Sequence, residues 1–142
     1  MNEYYQESQV SEIAQKVLTL LVLNEHSATV LCLEGDLGAG KTTLTQSLAV
    51  VLGVTETVVS PTFVIAKHYT LEHSQFSHLV HIDAYRIDSE DELGPLKFAA
   101  LLEQPRTLVI IEWPKRIVNS IPDDALWLKI THHDDVRHIA TR

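Results

Sequence analysis

A chain of 142 residues, 45% hydrophobic and 21% charged, is long enough to bury one real core and reads as a single globular domain over 1–142. Its net charge of −8 argues against a stand-alone nucleic-acid binder, because a phosphate backbone demands clustered Lys and Arg. The lone Cys32 excludes an internal disulfide, the apolar runs are too short to span a bilayer, and the polar, acidic stretch Met1 to Val10 lacks the basic start and apolar centre of a secretory signal, so the cytoplasm is the expected compartment.

Ile13, Val17, Leu20, Leu21 and Leu23 recur at helical spacing, which predicts an amphipathic helix from Ser11 to Asn24 with Ser8 or Ser11 as its cap. Ala28 to Leu33 is a short apolar run containing Cys32 and reads as a buried strand. It leads straight into Gly35-Asp36-Leu37-Gly38-Ala39-Gly40-Lys41-Thr42. A helix from Thr42 to Leu52 follows, closed by Gly53. Thr62 to Leu71 and His78 to Asp83 are strand-like, and the polar stretch Glu72 to Ser77 joins them as an antiparallel pair. Ser89 to Glu92 fits a Ser-x-x-Glu capping box before a short helix, which Gly94-Pro95 interrupts and a second piece from Lys97 to Glu103 resumes. Leu108 to Ile111 is a continuous apolar run ending in Glu112 and predicts a central strand. Pro114 and Pro122 bracket a loop or short helix. Ala125 to Thr131 and Val136 to Ala140 form a closing strand pair around the turn His132 to Asp135.

The segment Gly35 to Thr42 matches G-x-x-x-x-G-K-[ST] at every fixed position. Glycines let the backbone wrap phosphates with several N–H groups pointing inward, and the following helix adds its positive end. In this chemistry Lys41 bridges the β- and γ-phosphates and Thr42 offers a hydroxyl to magnesium. A chance match in a chain this long is on the order of one in a few hundred. The strand before the motif and the helix after it are the context that the mechanism requires.

A phosphate loop also needs a carboxylate at the end of a neighbouring strand, to hold the metal or its water. Glu112 and Asp83 both stand at such ends. Either can meet the metal directly, act through water, or orient the attacking water. Trp113 suits stacking near the site and a core position equally well. Arg86, Arg106 and Arg116 are ordinary exposed arginines that can reach phosphates. His132, His133, Asp134 and Asp135 read as a solvated turn rather than a metal site, since adjacent side chains on a turn diverge.

The string Gly35-Asp36-Leu37-Gly38-Ala39-Gly40-Lys41-Thr42-Thr43 resembles the TsaE family, small ATPases of bacterial tRNA threonylcarbamoyladenosine biosynthesis. Ser60-Pro61-Thr62-Phe63, His81-x-Asp83-x-Tyr85-Arg86 and Glu112-Trp113-Pro114 resemble further motifs of that family, in the same order, over nearly the whole chain. The resemblance implies an α/β P-loop NTPase fold, three-layered, with a mixed sheet that gains antiparallel strands. It implies ATP and magnesium, with Lys41 on phosphates, Thr42 and Glu112 near the metal, and Asp83 as a further catalytic and metal residue. Thr62 would be a polar contact beside the γ-phosphate, and Ser11 and Arg137 would lie near the nucleotide. It also implies partners. Two related transfer subunits modify adenosine 37 of tRNAs reading codons that begin with A, while the ATPase resets the complex and meets tRNA only through them. No membrane is involved. The segment Leu93 to Gln104, with Gly94-Pro95 and an alanine pair, departs from the family's pattern.

Two other readings compete. A small-molecule kinase would use the same loop but usually needs a basic lid, and no arginine-rich lid segment is present. A nucleotide-gated binding module would lack the acids, yet Asp83 and Glu112 are both there. A guanine-reading Asn-Lys-x-Asp motif is absent from the sequence, which favours ATP over GTP.

Overall fold

The computed structural model describes residues 1–56, 58, 66–73 and 75–142. The described strands form one sheet. In chain order they are β1 (Asn2–Tyr5), β2 (Thr29–Glu34), β3 (Ala66–Thr70), β4 (His78–Asp83), β5 (Thr107–Glu112), β6 (Leu126–His133) and β7 (Val136–Thr141). Their order across the sheet is β1-β7-β6-β2-β5-β4-β3. Strands β6, β2, β5 and β4 run parallel, and β7, β1 and β3 join antiparallel at the two sides. The helices are α1 (Val10–Leu20), α2 (Lys41–Val51) and the short α3 (Phe98–Leu102).

Strand alternation divides the apolar residues between two faces. Leu31, Leu33, Leu79, Leu108 and Ile110 meet Ile13, Val17, Leu44 and Leu48 of α1 and α2 on one face. Val30, Cys32, Val80, Ile82, Val109 and Ile111 meet Phe98, Leu93 and Ile117 on the other. The result is the expected three-layer arrangement with a mixed sheet. It explains why β2 and β5 read as continuous apolar runs, since both of their faces are covered. Cys32 is fully buried, and burial pushes its thiol up to about 12, with Glu34 adding to the rise. Among the described residues no helix is long and apolar enough to cross a membrane.

Several expectations need correction. The N-terminal stretch is not merely polar, because Asn2–Tyr5 forms edge strand β1 against β7. The first helix runs from Val10 to Leu20, not from Ser11 to Asn24. It stops because Leu21 turns extended at ψ 129°, so Leu23 belongs to the connection. Neither Ser8 nor Ser11 caps it. The chain enters through a 3-10 turn at Glu7–Gln9, where the Gln6 N–H donates to Gln9 Oε1 at 2.8 Å. The turn between β6 and β7 tightens to Asp134-Asp135, with Asp134 left-handed at φ 52°. Other boundaries hold closely. Ser89 caps the 3-10 turn Glu90–Leu93, with Glu92 reaching back to the Ser89 N–H at 3.0 Å. Gly53, at φ 89°, closes α2, and the Val54 N–H returns to the Ala49 carbonyl. The predicted strand from Thr62 begins at Ala66 among the described residues.

Candidate functional site

The C-terminal ends of β2, β5 and β4 open on one side of the sheet, where an open α/β sheet places its ligand crevice. β2 hands the chain to the loop 35–40 and then to α2, which starts at Lys41. Glycine is required at two of these positions. A Cβ on Gly35 would stand 2.6 Å from the Ile130 carbonyl oxygen of β6, and Gly40 is left-handed at φ 109° with Arg137 Nε 2.8 Å from where its Cβ would be. No side chain caps α2, so its first N–H groups remain available to an anion at the cleft.

Lys41 is almost fully buried. Its Nζ donates to the Gly35 and Asp36 carbonyls, the latter at 2.8 Å, and lies 4.4 Å from the Trp113 ring centroid. Burial lowers its pKa, against the opposing pull of Glu112, Asp83 and Asp36. The Thr42 hydroxyl donates to Glu112 Oε1 at 2.9 Å. The other Glu112 oxygen lies 3.0 Å from His81 Nε2, and both residues are buried. Asp83 sits opposite Glu112 in the β4–β5 register and accepts the Tyr85 N–H at 3.0 Å. The Ala84 N–H donates to the Glu112 carbonyl, which keeps the two carboxylates side by side at the strand ends.

A cleft of about 290 Å³ collects these groups. Leu37, Gly38, Gly40, Lys41, Thr42 and Thr43 form its loop side. Asp83, Tyr85, Glu112, Trp113 and Arg137 form the facing side. Trp113 is left-handed at φ 59°, half-buried, and tilted against Tyr85 at 5.0 Å. It therefore belongs to the cleft wall. Arg137 enters from β7, tethered by Nη2 to Glu7 at 3.3 Å, and its buried Nε has no hydrogen-bond partner among the described residues. Thr42 and Glu112 supply oxygen donors within hydrogen-bond reach of one another, the donor type that a hard divalent cation takes.

The structure thus brings together Lys41, Thr42, Thr43, Asp83, Glu112 and Arg137 with the glycine loop. Ala39 is buried beneath that loop, and its N–H closes a turn onto the Asp36 carbonyl at 3.1 Å. Ser11 is exposed in the first turn of α1 and does not line the cleft. Thr62 and the rest of Ser60 to Phe63 lie outside the described residues. Arg106 is at the opposite ends of the strands, donating to the His73 carbonyl. Arg116 stands over the Tyr85 ring at 5.9 Å, and Arg86 is exposed. His132 to Asp135 are exposed at the β6–β7 turn. The residue to which sequence reasoning gave no role, though it stands in a quoted motif, is His81. Its signals were its place at the head of the His-x-Asp-x-Tyr-Arg motif and the two-residue spacing to Asp83, which puts both on one face of β4.

A parallel-centred three-layer sheet, a glycine loop between β2 and α2, and a buried lysine at the helix start define a P-loop NTPase fold. The crystal structure of Bacillus subtilis YdiB superposes with a TM-score of 0.73 at 28% identity, covering 99% of this chain and 84% of that one. The family described as threonylcarbamoyl adenosine biosynthesis protein TsaE matches residues 4–139, and the chain belongs to that family. A relative from Streptomyces coelicolor, named tRNA threonylcarbamoyladenosine biosynthesis protein TsaE, is 37% identical over 90% of this chain and 86% of its own length. Relatives of the same name from Bacillus subtilis and Haemophilus influenzae are 40% and 32% identical, over 78% and 84% of this chain and 66% and 73% of their own lengths.

Proposed function

We propose that this chain binds ATP with magnesium and hydrolyses it in the cytoplasm, as the ATPase component of threonylcarbamoyl transfer to adenosine 37 of tRNAs reading codons that begin with A. It acts with the two related transfer subunits, meets tRNA only through them, and is not itself the transferase. One observation carries this reading: Lys41, Thr42, Glu112 and Asp83 converge on the mouth of the glycine loop. The family membership supplies the pathway.

The loop N–H groups and the α2 N-terminus suit the phosphate chain. Lys41 exchanges its carbonyl partners for the β- and γ-phosphate oxygens. Thr42 and Glu112 would hold the magnesium ion, with Asp83 beside them. When bound there, the ion would supply neutralising charge for the phosphates. Glu112 is engaged by Thr42 and His81, while Asp83 faces the same cleft, so the two carboxylates divide metal holding and water orientation between them. Hydrolysis joins a water oxygen to the γ-phosphorus and breaks its bond to the bridging oxygen, giving ADP and phosphate. Arg137 adds positive charge at the rim, and the family resemblance gives Thr62, outside the described residues, the role of polar contact to the γ-phosphate.

Steady-state ATP turnover tests this, measured alone, then with the two transfer subunits, then with tRNA. Slow turnover that rises with the partners is expected. Turnover indifferent to them would shift weight to the kinase reading.

A further inference from the structure

Outside the residues given roles above, the buried polar group best placed to affect the chemistry is His81. It is 0% exposed and does not line the cleft. Register pairs it with Ile110 and pairs Asp83 with Glu112, so His81 and Glu112 are diagonal neighbours on the face that carries α2. His81 Nε2 lies 3.0 Å from Glu112 Oε2, and its Nδ1 is buried with no hydrogen-bond partner among the described residues. A hydrogen on Nδ1 would be a stranded donor, whereas a bare lone pair there forfeits less. The ring hydrogen therefore belongs on Nε2, donated to Glu112. The carboxylate is then gripped at both oxygens by different elements, Oε2 from β4 and Oε1 from the first turn of α2.

We propose that His81 is a positioning residue for Glu112. Its Nε2–H fixes the plane of the carboxylate, so that Oε1 stays directed at Thr42 and the cleft. The inference rests on the ATPase reading for its kinetic consequence but not for its geometry. Ligating carboxylates are commonly held by such outer partners, whose loss weakens the site without emptying it.

The test compares His81→Leu, which keeps bulk and removes the donor, with His81→Gln, which keeps an N–H. In the Leu variant kcat for ATP is expected to fall roughly 10- to 100-fold, with KM changed less than about threefold, and the Gln variant recovers most of the loss. Wild-type kcat in the Leu variant, or a Gln variant as poor as Leu, overturns the proposal. A second readout needs no turnover. Nitrogen-15 spectra of histidine-labelled, nucleotide-free protein should show the Nε2–H tautomer at His81, and an Nδ1–H tautomer overturns it whether or not either variant folds. Wild-type protein that turns over no ATP with its partners would remove the ATPase reading, while the tautomer still decides the placement of His81.

Discussion

Replacing Gly35 by alanine tests whether contact with β6 holds the phosphate loop in shape. The added Cβ would stand 2.6 Å from the Ile130 carbonyl oxygen and 3.0 Å from Ala39 Cβ. Ile130 pairs with Ile139 of β7, one residue past the end of the β2–β6 ladder at Glu34 and Lys129. That pairing with β7 resists its retreat, so most of the adjustment falls on the loop. Overpacking of this kind costs about 2–3 kcal/mol. For a chain of this length each kcal/mol lowers the melting temperature by about 3 °C, so a fall of about 6–9 °C is expected. Gly38→Ala is the control, because nothing lies within 4 Å of its Cβ position and only its φ of 78° opposes a side chain. That left-handed cost is about 1–2 kcal/mol, or about 3–6 °C. Thermal melts followed by circular dichroism rank the two, and nucleotide affinity should fall more in the Gly35 variant. A Gly35→Ala protein that melts with wild type, or above Gly38→Ala, would refute the packing account.

Asp83→Ala and Glu112→Ala should each bind ATP yet lose turnover by about 100-fold or more, read by separate binding and steady-state assays; full activity in both would remove them from the mechanism. Lys41→Ala should weaken nucleotide binding sharply, and unchanged affinity would contradict the phosphate-loop reading. Burial lowers the Lys41 pKa below its ordinary 10.5, so the folded state releases this proton before the unfolded state does. Stability therefore rises with pH between the two values, and urea midpoints from about pH 7 to about pH 10 should shift in favour of wild type relative to Lys41→Met. Cys32, with its thiol pushed up to about 12 and no exposed surface, should resist alkylation in the native protein and react fully in denaturant. Rapid native labelling would show that β2 opens locally.

The parts of the fold that sequence made legible are those where one pattern has one physical meaning. The phosphate loop has fixed spacing, β5 is apolar on both faces, and the β3–β4 pair is split by polar residues. β1 was hidden because an edge strand buries so little. Of Asn2–Tyr5 only Tyr5 is buried, and alternation cannot show through a single inward side chain. The first helix was read too long because Leu21 and Leu23 continue the apolar spacing after the backbone has turned extended. At the site, Lys41 and Thr42 were fixed by motif, and Glu112 and Asp83 by standing at strand ends. His81 stood in a motif but was given no role, because its partner lies 31 residues away in the sequence. Register, which only the folded sheet reveals, joins them.

The indole of Trp113 stands over the Lys41 ammonium, and this gives the cleft an optical property of its own. The chain has two tryptophans, and the other, Trp127, lies under Arg142 rather than in the cleft. With Trp127 changed to phenylalanine, the remaining emission comes from a fluorophore 4.4 Å from the charge that, on the proposed function, swings to the phosphates. Colour and intensity would then follow the lysine's departure directly, in real time and without a label.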